Sequence, residues 1–171
     1  MNRDPRTEKT VTRLQLTVEE LKKALRDVMW ERSAILGPPL QRADWPEIFV
    51  LMPFKAALRP VYEVHIKRSV ARLRMRIGRA DAIFGTDQIM REVWSAIHAA
   101  RIIIADCTGR NPNVFYEIGL AHAVGKHTIL IARSLKDVPF DLRTLRVILY
   151  NPSGMRAFER RLCETIKKCG S

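Results

Sequence analysis

Two acids sit where a solvated acid would not be expected. Asp106 closes the aliphatic run Ile102-Ile103-Ile104-Ala105 and is followed by a turn, Cys107 to Asn111. Glu117 is the only formally charged side chain between Asn111 and Gly125, in a segment that is otherwise mostly apolar. A carboxylate in apolar surroundings is costly unless it is paired or used. The helix that begins after Asn111 would point its N-terminus toward the same place, with free backbone donors and a partial positive charge, which suits a phosphate, a carboxylate or a hydroxyl-rich sugar. Asn113 and Glu117 are four apart and share a helix face, on which Ala121 leaves room.

Each acid also has an ordinary structural role. Glu117 could pair with Arg79 or Arg101 and hold helices together. Asp106 could cap the turn that follows it, as strand-end aspartates often do. Composition alone leaves both roles open. His122 reads as a packed histidine beside the apolar face, and His65 and His98 read as helix-surface residues. The chain has no G-x-S-x-G, no P-loop and no G-x-G-x-x-G. Serine-hydrolase, NTPase and Rossmann dinucleotide readings therefore lack their motifs.

The elements that must position these acids follow from apolar periodicity. Ile48-Phe49-Val50-Leu51 is a continuous apolar run, the mark of a strand buried on both faces. Pro53 stops it and Pro60 suits the first turn of a helix carrying Tyr62, Ile66, Val70 and Leu73 on one stripe. A short second strand is expected within Arg74 to Arg79. Thr86 or Asp87 can cap a helix through Ile89, Val93, Trp94 and Ile97. Arg101 to Asp106 reads as the third strand. A helix from Pro112 to Val124 follows, with Asn111 as its cap and Gly125 as its C′ residue. Thr128 to Ala132 and Val147 to Tyr150 read as the fourth and fifth strands, and a last helix runs from about Ser153 to Lys168.

Strand–helix alternation of this kind predicts an α/β fold of flavodoxin-like type, three layers around a five-stranded parallel sheet. Ligands in such sheets bind outside the carboxyl ends of the strands where strand order reverses, here between the first and third strands. The loops at that point are Met52-Pro53-Phe54 and Asp106 to Asn113. An additional amphipathic helix is expected in the N-terminal region, opened by the capping box Thr17-Val18-Glu19-Glu20 and closed by Gly37-Pro38-Pro39. The division is thus residues 1–45 for a flexible N-terminus and helix, and 46–171 for the α/β domain.

Over its 171 residues the chain carries a net charge of +12. Eight cationic residues between Lys55 and Arg79, against the single acid Glu63, supply +7 of it. No aromatic residues interleave Lys67 to Arg76, so this run reads as a solvated helix face or as phosphate attraction rather than a dedicated nucleic-acid surface. Cys107, Cys163 and Cys169 form no C-x-x-C pair and are read as reduced thiols, with no structural metal and no cofactor expected. No run approaches the ~18 apolar residues of a membrane span. Met1 to Thr10 is charged and lacks a signal-peptide core, so the expected location is the cytoplasm.

The run Ala105-Asp106-Cys107-Thr108-Gly109-Arg110-Asn111-Pro112-Asn113-Val114-Phe115-Tyr116-Glu117-Ile118-Gly119-Leu120-Ala121-His122 resembles the nucleoside 2-deoxyribosyltransferase-like superfamily, and within it the TIR-like, nucleotide-binding branch. Phe49 to Phe54, Val61-Tyr62, Arg79-Ala80-Asp81, Ile89-Met90 and Pro139-Phe140-Asp141-Leu142 match in the same order, so the resemblance covers about residues 47 to 151. It implies a flavodoxin-like fold and chemistry at the N-glycosidic bond of a nucleoside, a nucleotide or NAD. By motif position Glu117 would attack the anomeric carbon and Asp106 would contact the leaving base. Asn113 would hold sugar hydroxyls or order Glu117, and Met52, Pro53 and Phe54 would line the base or sugar pocket. Further ligand contacts would fall at Tyr62, Asp81, Gly109, Asn111 and Tyr116. The transferases carry a glycine- and threonine-rich segment where this chain has Arg110-Asn111-Pro112-Asn113. Hydrolysis, transfer, and nucleotide sensing without turnover, signalled through oligomerisation, therefore all stay open. A homodimer is expected, because relatives in this superfamily build sites near subunit interfaces.

Overall fold

Residues 17, 18, 20, 21, 36–80 and 89–169 are described by the computed structural model. Within them five strands form one all-parallel sheet: β1 (Ile48–Leu51), β2 (Ile77–Arg79), β3 (Ile102–Asp106), β4 (His127–Ala132) and β5 (Val147–Leu149). The spatial order is β2-β1-β3-β4-β5, so the order reverses between β1 and β3. This is the flavodoxin-like α/β fold.

Alternation along the strands sorts the core into two halves. Ile48, Val50, Ile102, Ile104, Ile129, Ile131 and Ile148 face one side of the sheet. They pack there against α1, a π-helical run Val61–Ile66 continuing as α-helix Lys67–Ala71, and against α4 (Met155–Cys169). Phe49, Leu51, Ile103, Ala105, Leu130 and Ala132 face the other side. They meet α2 (Ile89–Ala99) and α3 (Pro112–Ala123). Both faces of β3 are therefore buried along all five residues, which accounts for the aliphatic run Ile102 to Ala105 before Asp106.

Several local signals act as the sequence predicts. Asn111 Oδ1 accepts the Asn113 N–H at 2.9 Å and Pro112 occupies the first helical position. At the other end Gly125, at φ +69°, donates to the His122 carbonyl, and Lys126 N–H donates to the Ala121 carbonyl. Those two bonds make a Schellman closure. The π-helical run in α1 departs from the simple helix expected after Pro60. The 3-10 turn Pro152–Gly154 delays the start of α4 past Ser153.

Contacts group the chain into two units, residues 1–39 and 40–171. In the first, Thr17, Val18, Glu20 and Leu21 are helical, so Thr17 lies inside the helix rather than at its cap. The rest of that expected helix, the Thr86 or Asp87 cap and Asp81 lie outside the described residues. Among the described residues no helix is long and apolar enough to cross a membrane.

Candidate functional site

The chain must turn sharply between the end of β3 and the start of α3, and Asp106 holds that turn. Thr108 N–H donates to Asp106 Oδ1 at 2.9 Å, and Arg110 N–H donates to the Cys107 carbonyl at 3.0 Å. Gly109 and Arg110 both adopt left-handed backbone, at φ +76° and +53°. Glycine does so freely, whereas the arginine pays a steric penalty that the surrounding turn must impose.

Asp106 is 0 % exposed. Its second oxygen accepts the Tyr150 hydroxyl at 2.8 Å, and that hydroxyl lies 3.0 Å from Thr108 Oγ1. Thr108 Oγ1 in turn accepts the Arg133 N–H at 3.1 Å, and the Arg133 guanidinium donates to the Ala57 carbonyl at 2.9 Å. One network thus ties together the carboxyl ends of β3, β4 and β5 and the loop after β1. Burial pushes the Asp106 carboxyl up, while the Thr108 and Tyr150 hydrogen bonds and the Arg133 charge oppose that shift. Asp106 thus has no exposed atom, and its hydrogen bonds hold the turn and the Tyr150 hydroxyl.

Glu117 is in a different situation. It lies in the second turn of α3, roughly 7–8 Å along the helix axis from Pro112. It is half-buried, and among the described residues it accepts no hydrogen bond and joins no ion pair. Arg101 pairs instead with Glu47 at 3.8 Å, and the Arg79 guanidinium stacks on Tyr62 at 4.3 Å. The ion-pair role that the sequence leaves open is thus filled by neither arginine. Desolvation pushes the Glu117 carboxyl up to about 7. A carboxyl titrating there is available near neutral pH both as an anion and as a proton donor.

The other expected ligand contacts divide by depth. Phe54 is 66 % exposed, and Gly109, Asn113 and Tyr116 are also exposed, with Asn111 half-buried. Met52, Pro53 and Tyr62 are buried beneath that rim. Met52 and Tyr62 support Arg79 there, Met52 Sδ lying 3.5 Å from its guanidinium. Cys107 is buried and its thiol is pushed up to about 12 by desolvation, with the Asp106 and Asp137 charges adding to the shift, so it is no nucleophile at neutral pH. Among the described residues no cluster of three His, Cys, Asp or Glu side chains is placed to hold a metal ion.

Thr108, Arg133 and Tyr150 belong to a network that sequence reasoning does not single out, and Arg79 reads there only as a possible ion-pair partner. A usable signal existed, because a parallel sheet brings every strand's carboxyl end to one edge. Arg133 and Tyr150 are the first polar-tipped residues after β4 and β5. The basic run also has a partner that spacing did not reveal. Glu159 of α4 is buried, with His65 Nδ1 at 2.7 Å, Arg68 at 3.2 Å and Arg72 at 3.5 Å. Burial opposes its ionisation, but the His65 hydrogen bond and the arginine charges outweigh that and hold the carboxyl below its ordinary value. His65 is therefore a helix-packing residue rather than a surface one.

No family model matches the chain, and no curated protein matches its sequence. Among solved structures it is similar to the TIR domain of the Toll-related receptor TRR-2 from Hydra magnipapillata. That match has a TM-score of 0.58 at 11 % identity and covers 74 % of this chain and 99 % of that one. A CMP N-glycosidase, BcmB, from Clostridium botulinum also matches, with a TM-score of 0.49 at 22 % identity, covering 67 % of this chain and 95 % of that one. The chain shares the fold of that TIR domain, a flavodoxin-like α/β unit.

Proposed function

We propose that this domain binds a nucleoside or nucleotide at the edge between β1 and β3 and cleaves or transfers at its N-glycosidic bond through Glu117. One observation carries the reading. Glu117 lies on the helix that begins at the strand-order reversal and has no partner among the described residues, and burial pushes its carboxyl up to about 7. A carboxylate that only held helices together would be paired, because an unpaired buried charge costs stability. As an anion it would stabilise or capture an oxocarbenium-like centre, and in protonated form it could donate to a departing base. The backbone donors at the start of α3 favour an anionic or hydroxyl-rich ligand. The resemblance of the Asp106–His122 segment to the deoxyribosyltransferase-like superfamily points the same way.

The alternative is a non-catalytic nucleotide-sensing module that signals through oligomerisation. The burial of Asp106 favours it, since that acid has no exposed atom to offer a leaving base. The deciding experiment is chromatographic detection of free base after incubation with nucleosides, nucleoside monophosphates and NAD. Release by the wild-type chain, slowed at least ~100-fold in Glu117→Gln, is expected from the loss of a group that typically contributes 10²–10⁴-fold. Undiminished release by that variant would remove Glu117 from the mechanism. Binding without release in the wild type would establish the sensing alternative.

A further inference from the structure

Beside the switch point lies a second concave feature with its own chemistry. A cleft of about 400 Å³ is lined by Phe54, Lys55, Ala56, Arg59, Glu63 and Arg79. That volume is within the range of small-ligand sites, ~300–1,000 Å³. Three of the six residues are cations and one is an acid. The acid is already engaged, with Lys67 Nζ 2.6 Å from Glu63 Oε2. The Lys67 hydrogen bond, together with the Lys67, Arg79 and Arg59 charges, holds the Glu63 carboxyl below its ordinary value. Lys55 and Arg59 pair with no carboxylate among the described residues. Three cations thus converge on one space in which, among the described residues, the one acid is shared with a fourth cation.

The cleft is also built rather than a chance of exposed side chains. Arg79 ends β2 opposite Val50 of β1 and is only 7 % exposed. Its guanidinium is clamped against the Tyr62 ring at 4.3 Å, with the Phe54 ring 6.0 Å away. A stacked guanidinium is held in one plane, and its charge is less weakened by water than that of a free surface arginine. Lys55 reaches from the β1 loop to the turn before α3. A Cβ on Gly109 would lie 3.1 Å from Lys55 Nζ. The cations therefore connect the rim of this cleft to the turn that leads into the Glu117 helix.

We propose that Lys55, Arg59 and Arg79 form an anion subsite that takes the phosphate of a nucleoside phosphate, which makes phosphorylated nucleotides, rather than free nucleosides, the ligands of this domain. The inference rests on the nucleotide reading above for the identity of the group attached to the phosphate. The subsite itself rests only on the cleft and its charges. Phosphate oxygens accept several charge-assisted hydrogen bonds from such a cluster, whereas a 5′-hydroxyl offers no charge.

The test uses the full chain carrying Glu117→Gln, so that binding is read without turnover. Calorimetric titration compares adenosine and cytidine with their 5′-monophosphates and with inorganic phosphate. The monophosphates are expected to bind at least ~10-fold more tightly than the parent nucleosides, as one or more charge-assisted bonds would give. Lys55→Ala combined with Arg59→Ala, both exposed substitutions, is expected to abolish that advantage while nucleoside affinity changes less than ~2-fold. Equal affinity for nucleosides and monophosphates overturns the proposal, as does a preference that survives the double substitution. Equal loss of both affinities also overturns it, because the substitutions would then have acted on the fold. If no nucleoside or nucleotide binds but inorganic phosphate does, and the double variant abolishes that binding, the subsite stands and the nucleotide reading fails. Absence of phosphate binding as well removes both.

Discussion

Replacing Glu117 by Gln separates the functional from the structural role of this carboxylate through stability as well as activity. The carboxyl is pushed from 4.5 up to about 7 by desolvation. A folded-state pKa above the unfolded one means the folded chain holds a proton that the unfolded chain has lost between pH 4.5 and 7. Stability therefore falls as pH rises through that window, and above pH 7 the full cost of the buried anion is present. Two and a half units at ~1.4 kcal/mol each set an upper limit of about 3 kcal/mol. Solvent reaching the half-buried group lowers that figure. Gln keeps the volume and removes the charge, so Glu117→Gln is expected to be more stable than the wild type at pH 8 by about 1–3 kcal/mol, with near-equal stability at pH 4.5. For a chain of this size that corresponds to a rise in Tm of a few degrees, at roughly 2–4 °C per kcal/mol. The assay is thermal or urea unfolding of both proteins from pH 4.5 to 8.5, beside base release over the same range. If ionised Glu117 is the working form, release in the wild type rises with pH through about 7. A variant less stable than the wild type at pH 8 would refute the reasoning, since that is the behaviour of a carboxylate holding an ion pair.

Two further outcomes follow. Asp106→Ala takes the acceptor from the Thr108 N–H and leaves the Tyr150 hydroxyl with Thr108 Oγ1 alone, so the urea midpoint should fall by the equivalent of roughly 1–3 kcal/mol with an unchanged slope; a shift under ~0.5 kcal/mol, the range of an ordinary surface substitution, would mean the network holds nothing. Duplex DNA followed by fluorescence anisotropy should bind weakly at ~0.15 M salt, because Arg68 and Arg72 already face Glu159 and no stacking device accompanies them; tight binding at that salt, lost on Arg68→Glu with Arg72→Glu, would move the function to the basic face.

The parts of the fold that the sequence discloses are those whose neighbours are apolar on every side. β3 is legible because both its faces meet helices, so every one of its first four residues is aliphatic. α3 is legible at both ends because Asn111, Pro112 and Gly125 each answer a local backbone need. The π-helical run in α1 is not legible, since the spacing Tyr62, Ile66, Val70, Leu73 accommodates wider turns as readily as α-helical ones. β2 is only faintly marked. It is a three-residue edge strand that pairs with β1 alone, and its half-buried residues need not be strongly apolar.

The site is harder to read because sequence pattern reports burial and says nothing of satisfaction. Asp106 and Glu117 look alike along the chain, each a lone acid among apolar residues, and the structure gives them opposite circumstances. The partners of Asp106 come from Thr108, two residues on, and from Tyr150, 44 residues on. The distant partner reaches it only because β3 and β5 end at the same edge of one sheet, with β4 between them. That closes the hydrogen-bond requirements of Asp106 and makes it part of the scaffold. Glu117 has the same kind of sequence neighbourhood, yet no described cation or donor reaches it, and its proton is held loosely enough to exchange near neutral pH. The asymmetry divides the work of the two acids. Asp106 fixes the Thr108–Arg110 turn, whose left-handed residues would otherwise relax. That fixed turn sets where α3 begins and therefore where Glu117 stands along it. On the proposed reading, a positioning acid must be satisfied to be rigid and a reacting acid unsatisfied to react, and one strand–turn–helix unit joins the two.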